Sequence, residues 1–141
     1  MALTPEQIRH FIAVNAQRHG VDPPAALAVA TTEGGFGGAI GDSGTSFGPF
    51  QLHRGGALPG TIANPQQWAN SPAGILYALK AIAGVSRGMT GQEAIANIVR
   101  RFERPADPAG QIQKALGYYP GLAGFAPGRD LMATKTNSKT K

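Results

Sequence analysis

The sequence is poor in the residues that most often announce a chemistry. It has no cysteine, a single tryptophan and only eight acidic residues among 141. Without cysteine there is no disulfide framework and no thiolate metal site, so packing alone must hold the fold and redox chemistry says nothing about compartment. The three histidines, His10, His19 and His53, have no carboxylate at zinc-ligand spacing, which excludes a metal centre on this pattern; no cofactor is expected. No window approaches the ~18 apolar residues of a membrane-spanning helix, so no membrane span is expected. The opening Met1-Ala2-Leu3-Thr4-Pro5-Glu6 lacks a basic stretch ahead of an apolar run, and no secretory signal is expected.

What is present describes a globular chain with many turns. An apolar fraction of 42% against 15% charged residues is too hydrophobic for a disordered chain, while 20 glycines and 11 prolines limit helix length. The length suits one domain, placed at residues 1–128, followed by a basic, flexible tail at 129–141. The formal net charge is +5, and residues 129–141 carry about +3 of it, four cations against Asp130. Such a field favours anionic partners: nucleic acid, anionic lipid or acidic wall polymers. The basic residues are spread, and no recognition helix or aromatic-interleaved basic motif appears, so no specific nucleic-acid partner is expected.

Cap signals divide the chain into about five helices. Thr4, Pro5 and Gln7 make a capping box ahead of Ile8, Phe11, Ile12 and Asn15, with a stop near Gly20. Asp22 caps a second helix at Pro23-Pro24; Ala25 to Thr32 is almost wholly small and apolar, which predicts burial on most sides and delivers Glu33 at the C-terminal end. Ten glycines between Gly34 and Gly60 predict loops with at most a short irregular hairpin around Thr45 to His53. Ser71-Pro72 opens a helix to about Ser86, Thr90-x-x-Glu93 one to about Phe102, and Asp107-Pro108 one to about Leu116, with breaks at Pro105 and Gly117. The fold class is mainly α, with a small β component.

Capping accounts for Glu6, Asp22, Glu93 and Asp107, which leaves Glu33, Asp42 and Glu103 in the body of the chain. Glu33 ends an apolar run and is followed by Gly34-Gly35-Phe36, so its carboxyl group belongs beside apolar surface at a glycine-rich opening. Desolvation there favours the protonated form, which can donate to a glycosidic oxygen. Asp42 is either a second carboxylate nine residues on or the start of an Asx-turn with Ser43-Gly44-Thr45. Glu103 either pairs with Arg100, Arg101 or Arg104 at a helix end or faces the site as a second acid. Tyr77, Tyr118, Tyr119, Trp68 and Phe50 are candidate faces for sugar stacking, with core packing the better default for Tyr77 at its helical spacing and Trp68 fitting either role.

The segment Gly41 to His53, with Gly48-Pro49-Phe50-Gln51 at its centre, resembles the goose-type lysozyme and lytic transglycosylase group, above all the lysozyme-like domains of bacteriophage tail proteins. In that group a catalytic Glu closes a buried helix and a Gly-x-x-Gln turn follows across the cleft. Phe102-Glu103-Arg104-Pro105 is similar to an element common in the phage domains, and the resemblance runs roughly from Pro23 to Tyr119. Cellular transglycosylases carry Gly-Leu-Met-Gln and a Glu-Ser pair where this chain has Gly48-Pro49-Phe50-Gln51 and Glu33-Gly34, which favours the phage branch.

The resemblance implies a lysozyme-like α+β fold around a cleft and cleavage of peptidoglycan between N-acetylmuramic acid and N-acetylglucosamine. Glu33 would be the general acid/base, with Asp42 and Glu103 as lesser candidates. Ser46, Phe47, Gly48, Phe50 and Gln51 would line the groove, joined by His53 and Tyr118, with the Gln51 amide suited to an acetamido group. Attack by water gives a muramidase, and attack by the sugar's own 6-hydroxyl gives a transglycosylase. The implied partners are bacterial peptidoglycan and other phage tail proteins, and the implied setting is a virion tail or the periplasm and cell wall. The competing expectation is a catalytically idle domain that only binds walls or builds a tail.

Overall fold

The structure, a computed structural model, describes residues 3–37, 40, 41, 44, 46–54 and 56–122. Asp42 and the tail at 129–141 lie outside the described residues. Among those described, six α-helices occur: α1 (Pro5–Arg18), α2 (Pro23–Glu33), α3 (Pro65–Ala69), α4 (Pro72–Ser86), α5 (Gly91–Asn97) and α6 (Pro108–Leu122). A π-helical segment, Ile98–Glu103, continues α5 directly. Strands β1 (Ile40–Gly41), β2 (Ser46–Phe47) and β3 (Leu52–His53) form one small antiparallel sheet in that order. The chain is therefore mainly helical with a minor sheet.

Helix α2 is the centre of the molecule. Pro24 to Ala30 are buried without interruption, and α2 packs against α1, α5 and α6. Four alanines in that run leave room for neighbours to approach on several sides, while Leu27 and Val29 fill the gaps between them. Toward its C-terminus the polar residues satisfy themselves locally: Thr31 and Thr32 donate their hydroxyls to the carbonyls of Leu27 and Ala28 at 2.8 and 2.9 Å. The helix can thus carry Glu33 out of the core without leaving polar atoms stranded along the way.

Several boundaries follow the cap chemistry. Thr4 and Gln7 form the complete capping box, Ser71 caps α4, and Asp107 accepts from the Gly110 amide at the start of α6. Two caps differ from expectation. Asp22 and Thr90 stand at the N-cap positions of α2 and α5 but make no side-chain cap bond. Gly91 enters α5 in a left-handed conformation (φ 57°) and gives its amide to Asp22 at 3.1 Å, and the Tyr119 hydroxyl donates to the same Asp22 oxygen at 2.9 Å. Long-range donors have claimed the carboxylate, which clasps the start of α2, the start of α5 and the end of α6 together.

The helix count and the end of α6 are also corrected. Five-residue α3 is too short to show periodicity, although Asn64 caps it by accepting from the Gln67 amide. Helix α6 does not stop at Leu116 but runs through Gly117 and Pro120 to Leu122. Ile112, Ala115, Leu116, Tyr119 and Leu122 all pack on the core, and that stripe outweighs the helix breakers.

The clasp predicts an order of damage. Tyr119→Phe removes one hydrogen bond and should cost about 1 kcal/mol, whereas Asp22→Ala leaves two donors without an acceptor and should cost roughly 2–3 kcal/mol by urea denaturation. Equal losses in the two variants would show that the carboxylate does not bridge these elements.

Candidate active site

The C-terminus of α2 is stitched to the β2–β3 turn. The Gly34 amide donates to the Ala30 carbonyl and to the Pro49 carbonyl, each at 3.1 Å. A side chain at position 34 would collide with the Gly48 carbonyl, so glycine is required there by close approach. Gly48 itself has φ 84°, and a Cβ on it would lie 2.8 Å from atoms of Ala69 in α3. Gln51 closes the turn at φ 48°, a left-handed conformation uncommon for a residue with a side chain. Its Nε2 donates to the Gly48 carbonyl at 3.0 Å, so part of the amide expected to meet substrate builds the turn instead.

The second acid arrives on the π-helical segment. The Arg104 amide donates five residues back, to the Val99 carbonyl at 2.7 Å, and Arg104 takes φ 52°. The wider turn ends the helix one step off α-helical register, a feature that recurs at functional sites. The ion pair expected between Glu103 and Arg100, Arg101 or Arg104 does not form among the described residues. Glu103 Oε2 is instead buried without a hydrogen-bond partner. Burial, and secondarily the nearby charge of Glu33, raise the Glu103 carboxyl well above the ordinary carboxylate range. A guanidinium partner would have lowered it.

Glu33 and Glu103 line one pocket of about 990 Å³. Ser46, Phe50, Gln51 and His53 line it too, as the sequence led us to expect. Ser46 is fully buried, and its Oγ is hydrogen-bonded to His53 Nδ1 at 3.0 Å across the strand pair. Three expected residues lie elsewhere. Phe47 is a core side chain beneath the hairpin, with Arg54 5.9 Å above its ring. Gly48 is spent on the turn. Tyr118 is exposed on α6 and does not line the pocket, because the neighbouring Tyr119 holds the core-facing stripe and a one-residue step rotates Tyr118 outward.

Tyr77 and Gln111 also line the pocket. Tyr77, expected in the core, is 43% exposed, with its ring 5.4 Å from that of half-buried Trp68. The two form a tilted aromatic pair beside the pocket. Gln111 brings a buried Oε1 with no hydrogen-bond partner from the first turns of α6. Nothing in its surroundings in the sequence marks it, since exposed glutamines are common on helices.

No known family, curated protein or solved structure matches this chain. Among the described residues no three His, Asp or Glu side chains gather to hold a metal. What the pocket offers is a pair of carboxyl groups, one of them raised well above the ordinary carboxylate range by burial, next to hydroxyl, amide and aromatic faces.

Two measurements check this arrangement. Gly34→Ala forces the turn away from α2 and should destabilise the protein by about 1–3 kcal/mol in chemical denaturation. Glu103→Gln mimics the protonated acid. Because the raised carboxyl binds its proton in the folded state after the unfolded chain has released it, wild-type stability falls as pH rises above the ordinary carboxyl range. The variant should accordingly gain melting temperature relative to wild type at pH 8 and not at pH 4; a gain independent of pH would contradict a buried, titrating Glu103.

Proposed function

We propose that this chain cleaves the glycan strands of bacterial peptidoglycan between N-acetylmuramic acid and N-acetylglucosamine, as a lysozyme-like muramidase or lytic transglycosylase. The observation that carries the reading is the meeting of Glu33 and Glu103 in one pocket, with the Glu103 carboxyl raised by burial and then by its acidic neighbour. The sequence resemblance, which assigned Glu33 to the end of a buried helix and Gly48 to Gln51 to the adjoining turn, supplies the substrate.

In this reading Glu33 is the member that exchanges a proton with the sugar, and Glu103, whose carboxyl is raised by burial and then by the charge of Glu33, is the acid beside it. The proton passes to the glycosidic oxygen as the bond to the anomeric carbon breaks, and the carboxylate left behind faces the positive charge that grows there. An incoming hydroxyl, from water or from the same sugar's 6-position, bonds to that carbon and returns its proton to Glu33. Gln111 Oε1 is an acceptor suited to an acetamido N–H or a sugar hydroxyl. Tyr77 and Trp68 offer an aromatic face to a pyranose ring. A phage tail or the space around the wall is the setting that goes with this activity.

Turbidity of a suspension of purified walls tests it directly. Wild type should clear the suspension, and Glu33→Gln should be slower by at least roughly 10²-fold, the scale of a lost proton transfer. Glu103→Gln should move the alkaline limb of the rate to lower pH, because the group that keeps the proton into that range is gone. Binding without clearing, unchanged in Glu33→Gln, would instead identify an idle wall-binding domain.

A further inference from the structure

The acids of the pocket are accompanied by cations that do not neutralise them. Arg101 and Arg104 are exposed and line the same pocket as Glu103, the residue two positions after one and immediately before the other. The cheapest local arrangement would fold either guanidinium onto that carboxylate. Neither does so: among the described residues neither side chain has an ion pair or hydrogen bond, and Glu103 is raised rather than lowered. The left-handed Arg104 backbone, fixed by the bond to the Val99 carbonyl, separates the directions of residues 103 and 104, one into the protein and one to the rim. The lining therefore sets two exposed guanidiniums beside the two carboxyl groups without spending either on them.

We infer that Arg101 and Arg104 form an anion subsite for a carboxylate borne by the glycan strand, so that the pocket selects acidic strands over neutral ones. Guanidinium groups suit this task because their planar forks meet a carboxylate with two parallel hydrogen bonds. The inference rests on the cleavage reading for its substrate. The carboxylate comes either from the stem peptide or from the lactyl group bared when the stem is removed. Both place a negative charge beside the sugar whose bond is cut, and both present the same chemistry to the arginines.

The experiment compares wild type with an Arg101→Gln/Arg104→Gln double variant on four substrates. These are strands with intact stems, the same strands amidated with carbodiimide and ammonia, strands stripped of their stems by an amidase, and neutral N-acetylglucosamine oligomers. On carboxylate-bearing strands the double variant should lose roughly tenfold or more in kcat/KM, through KM, and the loss should be much smaller on amidated strands and neutral oligomers. An Arg101→Lys/Arg104→Lys variant should recover part of it. The stem-bearing and stripped arms tell which carboxylate is read, by which of them shows the loss. An equal loss on charged and neutral substrates, or none, overturns the proposal. Binding of the same four substrates to Glu33→Gln separates the two readings. Charge-dependent binding there without turnover by wild type sinks cleavage and keeps the anion subsite, whereas turnover indifferent to charge does the reverse.

Discussion

A helix buried on nearly every side has to resolve its own terminus, and the way α2 does so organises the site. Its C-terminal backbone needs something to pack against and its last side chain needs an exit from the core. The β2–β3 turn provides both, because Gly34 has no Cβ and lets the Gly48 carbonyl come within a distance no other residue would permit. The hairpin is in turn wedged against Ala69. The place of the Glu33 backbone at the edge of the core is thus set by backbone contacts.

Around that fixed point the molecule tolerates an electrostatic arrangement that stability alone would not select. A carboxyl group is drawn out of water, set near another, and denied the guanidinium partners adjacent to it in sequence. Its protonated form is the cheaper one in that place. Two non-glycine residues in left-handed backbone, Gln51 and Arg104, both line the same pocket. Left-handed backbone and desolvation that coincide in one pocket are a pattern expected where geometry serves a ligand.

The sequence made the α-helical frame and one side of the pocket legible. Proline after a capping residue marked the starts of α1, α2, α4 and α6, and the alanine-rich run announced that α2 is buried. Glu33, Ser46, Phe50, Gln51 and His53 were placed together because they belong to one continuous stretch with a recognisable turn. The other side could not be read in the same way. The fate of Glu103 depended on whether five-residue hydrogen bonding replaced four-residue bonding after Asn97, and apolar spacing does not encode that choice. Asp22 shows a similar limit: its cap pattern was correct for the backbone, yet donors 69 and 97 residues away took the carboxylate.

The two carboxyl groups come from positions 33 and 103, so half of the chain intervenes between them. Loop closure over that span is slow compared with the making of any single helix or hairpin. A chain that has folded α1, α2 and the hairpin owns Glu33 and its turn but has neither the opposing acid nor the dry surroundings that raise its carboxyl. The paired acids of the pocket therefore come together late and all at once, as a property of the finished fold.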